Sequence, residues 1–96
     1  MTLKDVVAQL ETLDEDAILV ARRPWSAGSE VRLVEPDEEG GVPEDVVAEG
    51  FDYFLEVEVA REVLEPLVGR EDVPLEKKLE GLIYYATHDA FPDWEV

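Results

Sequence analysis

The sequence predicts one α+β domain, a small antiparallel sheet of about three strands with helices packed on one face. Three observations lead there. Apolar residues recur at helical spacing in three stretches, and three other stretches read as strands. Two of those strands follow one another closely enough to pair as a hairpin. The chain has 96 residues, a size that makes one domain, and its 46% apolar content fills a core without a staple. Area scaling at this mass buries roughly two-thirds of the unfolded surface.

Each element follows from a local pattern. Thr2 and Asp5 have the spacing of a capping box, with Asp replacing the usual Glu or Gln. Leu3, Val6, Val7, Leu10 and Leu13 continue at helical spacing, giving a helix over residues 3–13. After the polar break at Asp14-Glu15-Asp16, Ala17-Ile18-Leu19-Val20-Ala21 is a short unbroken apolar run. Such a run predicts a strand buried on both faces. A loop over 24–29 leads to a second strand at 30–35. Residues 36–50 form a mobile surface loop with a short helix inside it. There Pro36-Asp37-Glu38-Glu39-Gly40-Gly41 supplies turn formers and clustered charge, and Pro43 and Gly50 bracket one or two helical turns. The aromatic run Phe51-Asp52-Tyr53-Phe54-Leu55-Glu56-Val57 reads as a third strand. It hands over near Glu58 to a helix carrying Ala60, Val63, Leu64, Leu67 and Val68, stopped by Gly69 and distorted at its end by Pro66. Asp72 is the expected N-cap of a last helix over 74–90, on which Leu75, Leu79, Leu82, Ile83 and Ala86 make the apolar stripe. In the tail, Phe91 or Trp94 is expected to fold back onto the body.

Charge excludes more than it assigns. The net charge is −17, from 25 Asp and Glu against 8 Lys and Arg. Direct binding to nucleic acid or anionic lipid is disfavoured, and a basic protein partner is favoured. A generically acidic surface of the halophile type accounts for the same charge. There is no Cys for a disulfide or thiolate metal site, which suits a reducing cytoplasm. The N-terminal stretch reads as a helix and not a signal peptide, and no apolar run is long enough to span a bilayer.

No motif outweighs its plain structural reading. His88, with Asp89 and Asp93, permits a proton shuttle or a one-imidazole metal site, but no second His or Cys completes a ligand set. A histidine near a helix end more often faces the terminal carbonyls. The pairs Glu58/Glu62 and Glu76/Glu80 read as solvated faces. The stretch at Asp37 lacks the calcium-loop pattern, and Gly40-Gly41 lacks the Lys of a phosphate loop. Arg22-Arg23-Pro24-Trp25 is the one basic spot. It is expected to pair its guanidinium groups with local acids while Trp25 covers the core edge. No cofactor and no metal are expected.

The run Ala21-Arg22-Arg23-Pro24-Trp25, then Gly50-Phe51-Asp52-Tyr53-Phe54-Leu55-Glu56-Val57, then Ala60-Arg61-Glu62-Val63-Leu64 resembles a group of short acidic bacterial proteins. In size and pattern these are similar to the immunity proteins that neutralise polymorphic bacterial toxins. The resemblance covers the middle half of the chain and carries no catalytic residue. It implies a bacterial interaction protein; with a net charge of −17, no Cys and no catalytic motif, the expectation is a non-enzymatic inhibitor of a basic partner, of immunity or antitoxin type. The alternatives are a DNA mimic that blocks a nucleic-acid-binding enzyme, or a domain with merely generic acidity. The candidate partner anchors are Trp25, Tyr53 and Phe54, with Glu35, Asp37, Glu38 and Glu39 as steering charges.

Overall fold

A computed structural model describes residues 1–67, 70 and 72–92. Among them are four α-helices, α1 (Leu3–Gln9), α2 (Glu44–Ala48), α3 (Val57–Leu64) and α4 (Leu75–His88), and three strands, β1 (Ile18–Ala21), β2 (Val31–Val34) and β3 (Asp52–Glu56). The strands form one antiparallel sheet in the order β2-β1-β3. The α+β class and the antiparallel pairing are as the sequence predicts.

The unbroken apolar run takes the central place because only the middle strand is covered on both faces. Leu19 and Ala21 face a core built from Leu3, Val6 and Leu10 of the first helical segment, Ala60 and Val63 of α3, and Leu79 and Leu82 of α4. Ile18 and Val20 face the other way, onto Val46 of α2 and Phe51. The expectation of helices on one face therefore holds for α1, α3 and α4, whereas α2 closes the second face.

The pairing of β1 with β3 slips between Leu19 and Val20. Leu19 lies opposite Leu55 and Val20 opposite Tyr53, so Phe54 is the extra residue of a bulge. A bulge breaks strict alternation, and both Phe54 and Leu55 join the helix-side core.

Helix ends show where local signals compete. Thr2 Oγ1 accepts from the Asp5 amide at 3.3 Å and Asp5 Oδ2 from the Thr2 amide at 2.9 Å, completing the capping box. The Thr2 amide first, and then the Thr2 hydroxyl, favour the ionised Asp5 carboxyl and hold its pKa below the ordinary value. The first helix tightens into a 3-10 turn over Leu10–Thr12, and α3 likewise over Glu65–Leu67, where Pro66 sits. Arg61 of α3 straps the first of these turns, donating to the carbonyls of Leu10, Glu11 and Leu13 at 3.3, 3.2 and 2.5 Å. Asp72 is not the cap of α4: Pro74 holds that position. Asp72 instead accepts both arms of the Arg70 guanidinium at 3.1 Å, which lowers its pKa. A bidentate charged partner outcompetes an exposed backbone amide. Val68, Gly69, Asp93 and Trp94, to which roles were given above, lie outside the described residues.

Candidate partner-binding surface

The loop between β2 and α2 is a closed turn. Asp37 Oδ1 accepts from the amides of Glu39 and Gly41 at 2.9 and 2.8 Å, and Gly40 supplies a φ of +83° at the corner. This geometry fans the neighbouring side chains outward. Glu35, Asp37, Glu38, Glu39, Glu44 and Asp45 are all exposed, and the last five line a shallow depression of about 460 Å³ with Pro43. None of the six forms an ion pair among the described residues. Glu35 lies just past Val34, the register partner of Ile18, at the end of the sheet that also carries Glu56. The three acids of the 14–16 turn lead into β1 at that same end.

The cations gather elsewhere and are mostly spoken for. All five arginines have an acidic partner: Arg22 with Glu30 at 3.1 Å, Arg23 with Asp52 at 3.3 Å, Arg32 with Glu49, Arg61 with Glu15 at 3.7 Å, and Arg70 with Asp72. Arg22 and Arg32 also lie over the buried Phe51 ring, at 4.3 and 4.5 Å from its centroid. Arg22 Nη1 donates to the Glu49 carbonyl at 2.7 Å, passing so close to Gly50 that a Cβ there would meet it at 2.7 Å. Ion pairing and edge covering, the structural reading of Arg22-Arg23-Pro24-Trp25, describe these contacts. Arg22, Arg23 and Arg32 thus sit towards the Ala21 end of the sheet, where Arg22 and Arg32 meet Glu49 at the end of α2.

The predicted anchors separate. Trp25 is half-buried, edge-on to Phe54 at 4.9 Å, with Nε1 donating to the Ala21 carbonyl and the Arg23 guanidinium 4.0 Å above its ring. Tyr53 is 46% exposed and can be touched. Partial burial, and then the nearby Glu56, raise its phenol pKa, so its hydroxyl remains a donor. Phe54 must be withdrawn as a partner contact: it is 1% exposed, because the bulge turns it into the core. Tyr53 and Trp25 lie towards the Ala21 end, so they do not share a patch with Glu35, Asp37, Glu38 and Glu39. His88 is exposed in the last turn of α4, its ring 4.5 Å from that of Tyr84.

Phe91 folds back as the sequence suggests, but sequence reasoning missed the second surface that this makes. The left-handed Asp89, at φ 54°, ends α4 and turns the chain back, so that Phe91 meets the Tyr85 ring at 5.1 Å while staying 59% exposed. Phe91 and Pro92 face Glu62, Glu65 and Pro66 across a groove of about 400 Å³. Tyr84 is also exposed. Tyr84 falls off the Leu75-Leu79-Leu82-Ile83-Ala86 stripe, and that was the available signal for an outward-facing aromatic.

Comparison with known proteins identifies a family and nothing finer. The family model described as "Domain of unknown function (DUF7716)" matches residues 1–94. The chain belongs to that family. No curated protein and no solved structure matches it. Among the described residues, no helix is long and apolar enough to cross a membrane.

Proposed function

We propose that this member of the DUF7716 family is a non-enzymatic binding protein, an immunity-like or antitoxin-like inhibitor that docks on a basic partner protein. One observation carries the reading: six exposed carboxylates crowd the turn and short helix over 35–45 without a cation, while every arginine is paired elsewhere. Unpaired like charges within about a Debye length of 10 Å repel one another. A cationic surface relieves that repulsion and is steered towards it, which raises the association rate more than the affinity. Affinity then rests on the half-exposed aromatics, Tyr53 and Trp25, as anchors. A cytoplasmic setting belongs to the same proposal.

The test compares two variants of equal net charge. One neutralises the loop (Glu35→Gln, Glu38→Gln, Glu39→Gln, Glu44→Gln), and the other neutralises helices (Glu11→Gln, Glu58→Gln, Glu76→Gln, Glu80→Gln). Asp37 is left alone because its carboxylate holds the turn. Affinity capture from source cells at moderate salt should recover one basic protein with the wild type and the helix variant. The loop variant should lose it, and the association rate of the purified pair should fall at least about tenfold. Equal loss in both variants would reduce the effect to net charge and refute the loop's role. Capture of several unrelated nucleic-acid-binding proteins would replace the reading with DNA mimicry.

A further inference from the structure

We infer that the groove between α3 and the returning chain at Phe91 receives a lysine or arginine side chain of the basic partner; this rests on the docking function proposed above. The two walls make incompatible demands on any other occupant. On one side are Phe91 and Pro92, with Phe91 more than half exposed. On the other are Pro66 and, three residues apart, Glu62 and Glu65, which form no ion pair among the described residues. The nearest arginine in sequence is no competitor, since the Arg61 guanidinium is held by the carbonyls of Leu10, Glu11 and Leu13 and by Glu15. A purely apolar occupant would desolvate two carboxylates without pairing them. An anionic one would be repelled. A long cationic side chain meets both demands, because its methylene stem covers Phe91 and Pro66 while its head reaches the carboxylates. A guanidinium also stacks on the exposed ring face. The pairing of charge and aromatic is what selects a cation with a stem over a simple counter-ion.

The probe is Nα-acetyl-arginine amide, with the neutral isostere Nα-acetyl-citrulline amide as control, titrated into the isotope-labelled whole chain by NMR. The arginine probe should give saturable shifts at Glu62, Glu65 and Phe91 with millimolar affinity, and citrulline should give none. Glu62→Gln and Glu65→Gln should each weaken binding about threefold, as for an exposed ion pair. Phe91→Ala should also weaken it, whereas the loop-neutralised variant should bind unchanged. Shifts that spread evenly over all acidic surfaces, an equal response to citrulline, or no shift in the groove would each overturn the assignment. Its fate is separable from that of the docking reading. A silent groove beside a captured basic protein sinks only the groove, and a saturable groove in a chain that captures nothing sinks only the docking function.

Discussion

Replacing Gly50 by Ala should destabilise the fold by about 2–3 kcal/mol through two separable causes. Gly50 has a φ of +91°, and holding a residue with a Cβ in so sparsely populated a region costs about 1–2 kcal/mol. The new Cβ would also meet Arg22 Nη1 at 2.7 Å. Arg22 is the far end of a flexible side chain, so it would move and lose its hydrogen bond to the Glu49 carbonyl and its place over Phe51. One such hydrogen bond is worth about 1 kcal/mol. The two causes part company in a double-mutant cycle with Arg22→Ala. In that background Gly50→Ala should cost only the backbone share, leaving a coupling of about 1 kcal/mol. Urea unfolding followed by tryptophan fluorescence reads the difference, since a domain of this size loses about 1–3 kcal/mol per molar urea. A Gly50→Ala protein as stable as wild type would refute the backbone argument. An unchanged cost in the Arg22→Ala background would refute the clash.

The remaining predictions concern charge and strapping. Raising NaCl from about 20 to 500 mM should raise the melting temperature, because screening relieves repulsion among acids that outnumber bases threefold; about 1 kcal/mol would move it by about 4–8 °C. An unchanged or lower midpoint would show that the fold already compensates its acids. Arg61→Met should cost about 2 kcal/mol by removing the guanidinium's hydrogen bonds to the carbonyls of Leu10, Glu11 and Leu13, and Arg61→Lys should restore only part of it, lacking the planar fork; full rescue by Lys in thermal melts would contradict the geometry. Asp5 and Asp72 both have folded pKa values below the usual 3.8. Their contribution is therefore complete above that value and is lost as pH falls through the lowered ones. Melts from pH 7 downward should first gain from reduced repulsion and then lose stability below about pH 4. Thr2→Ala should cost about 1 kcal/mol at neutral pH and flatten that acid limb; an unaltered limb would mean the capping box is not its source.

What could be read from the chain follows the range of each interaction. The first helix, its Thr2/Asp5 cap and the apolar stripe of α4 are set by neighbours within a turn or two, and so were legible. The run from Ala17 to Ala21 also betrayed a strand covered on both faces, because nothing polar interrupts it. Phe54 was misjudged because a bulge depends on how β3 meets β1, more than thirty positions earlier in the chain. Asp72 was misjudged because Arg70, an equally local neighbour, claims its carboxylate. For the candidate surface, the acidic loop announced itself by composition. The groove joins Glu62 and Glu65 to Phe91 only after α4 has turned back, so no spacing in the sequence could display it. The reversal depends on Asp89 adopting a left-handed conformation, which its neighbours do not require.

The bulge at Phe54 also bears on how the molecule behaves in a crowd of its own copies. With the order β2-β1-β3, β3 is an outer strand of the sheet, the kind of row that templates intermolecular pairing. The extra residue divides that row and strengthens its local twist, so a straight visiting strand would lose register within two or three residues. Glu56, exposed and without an ion pair among the described residues, stands at one end and would meet acidic residues on an identical neighbour. The residue that gives up a place on the surface to fill the core thereby guards the sheet against growing into the next molecule.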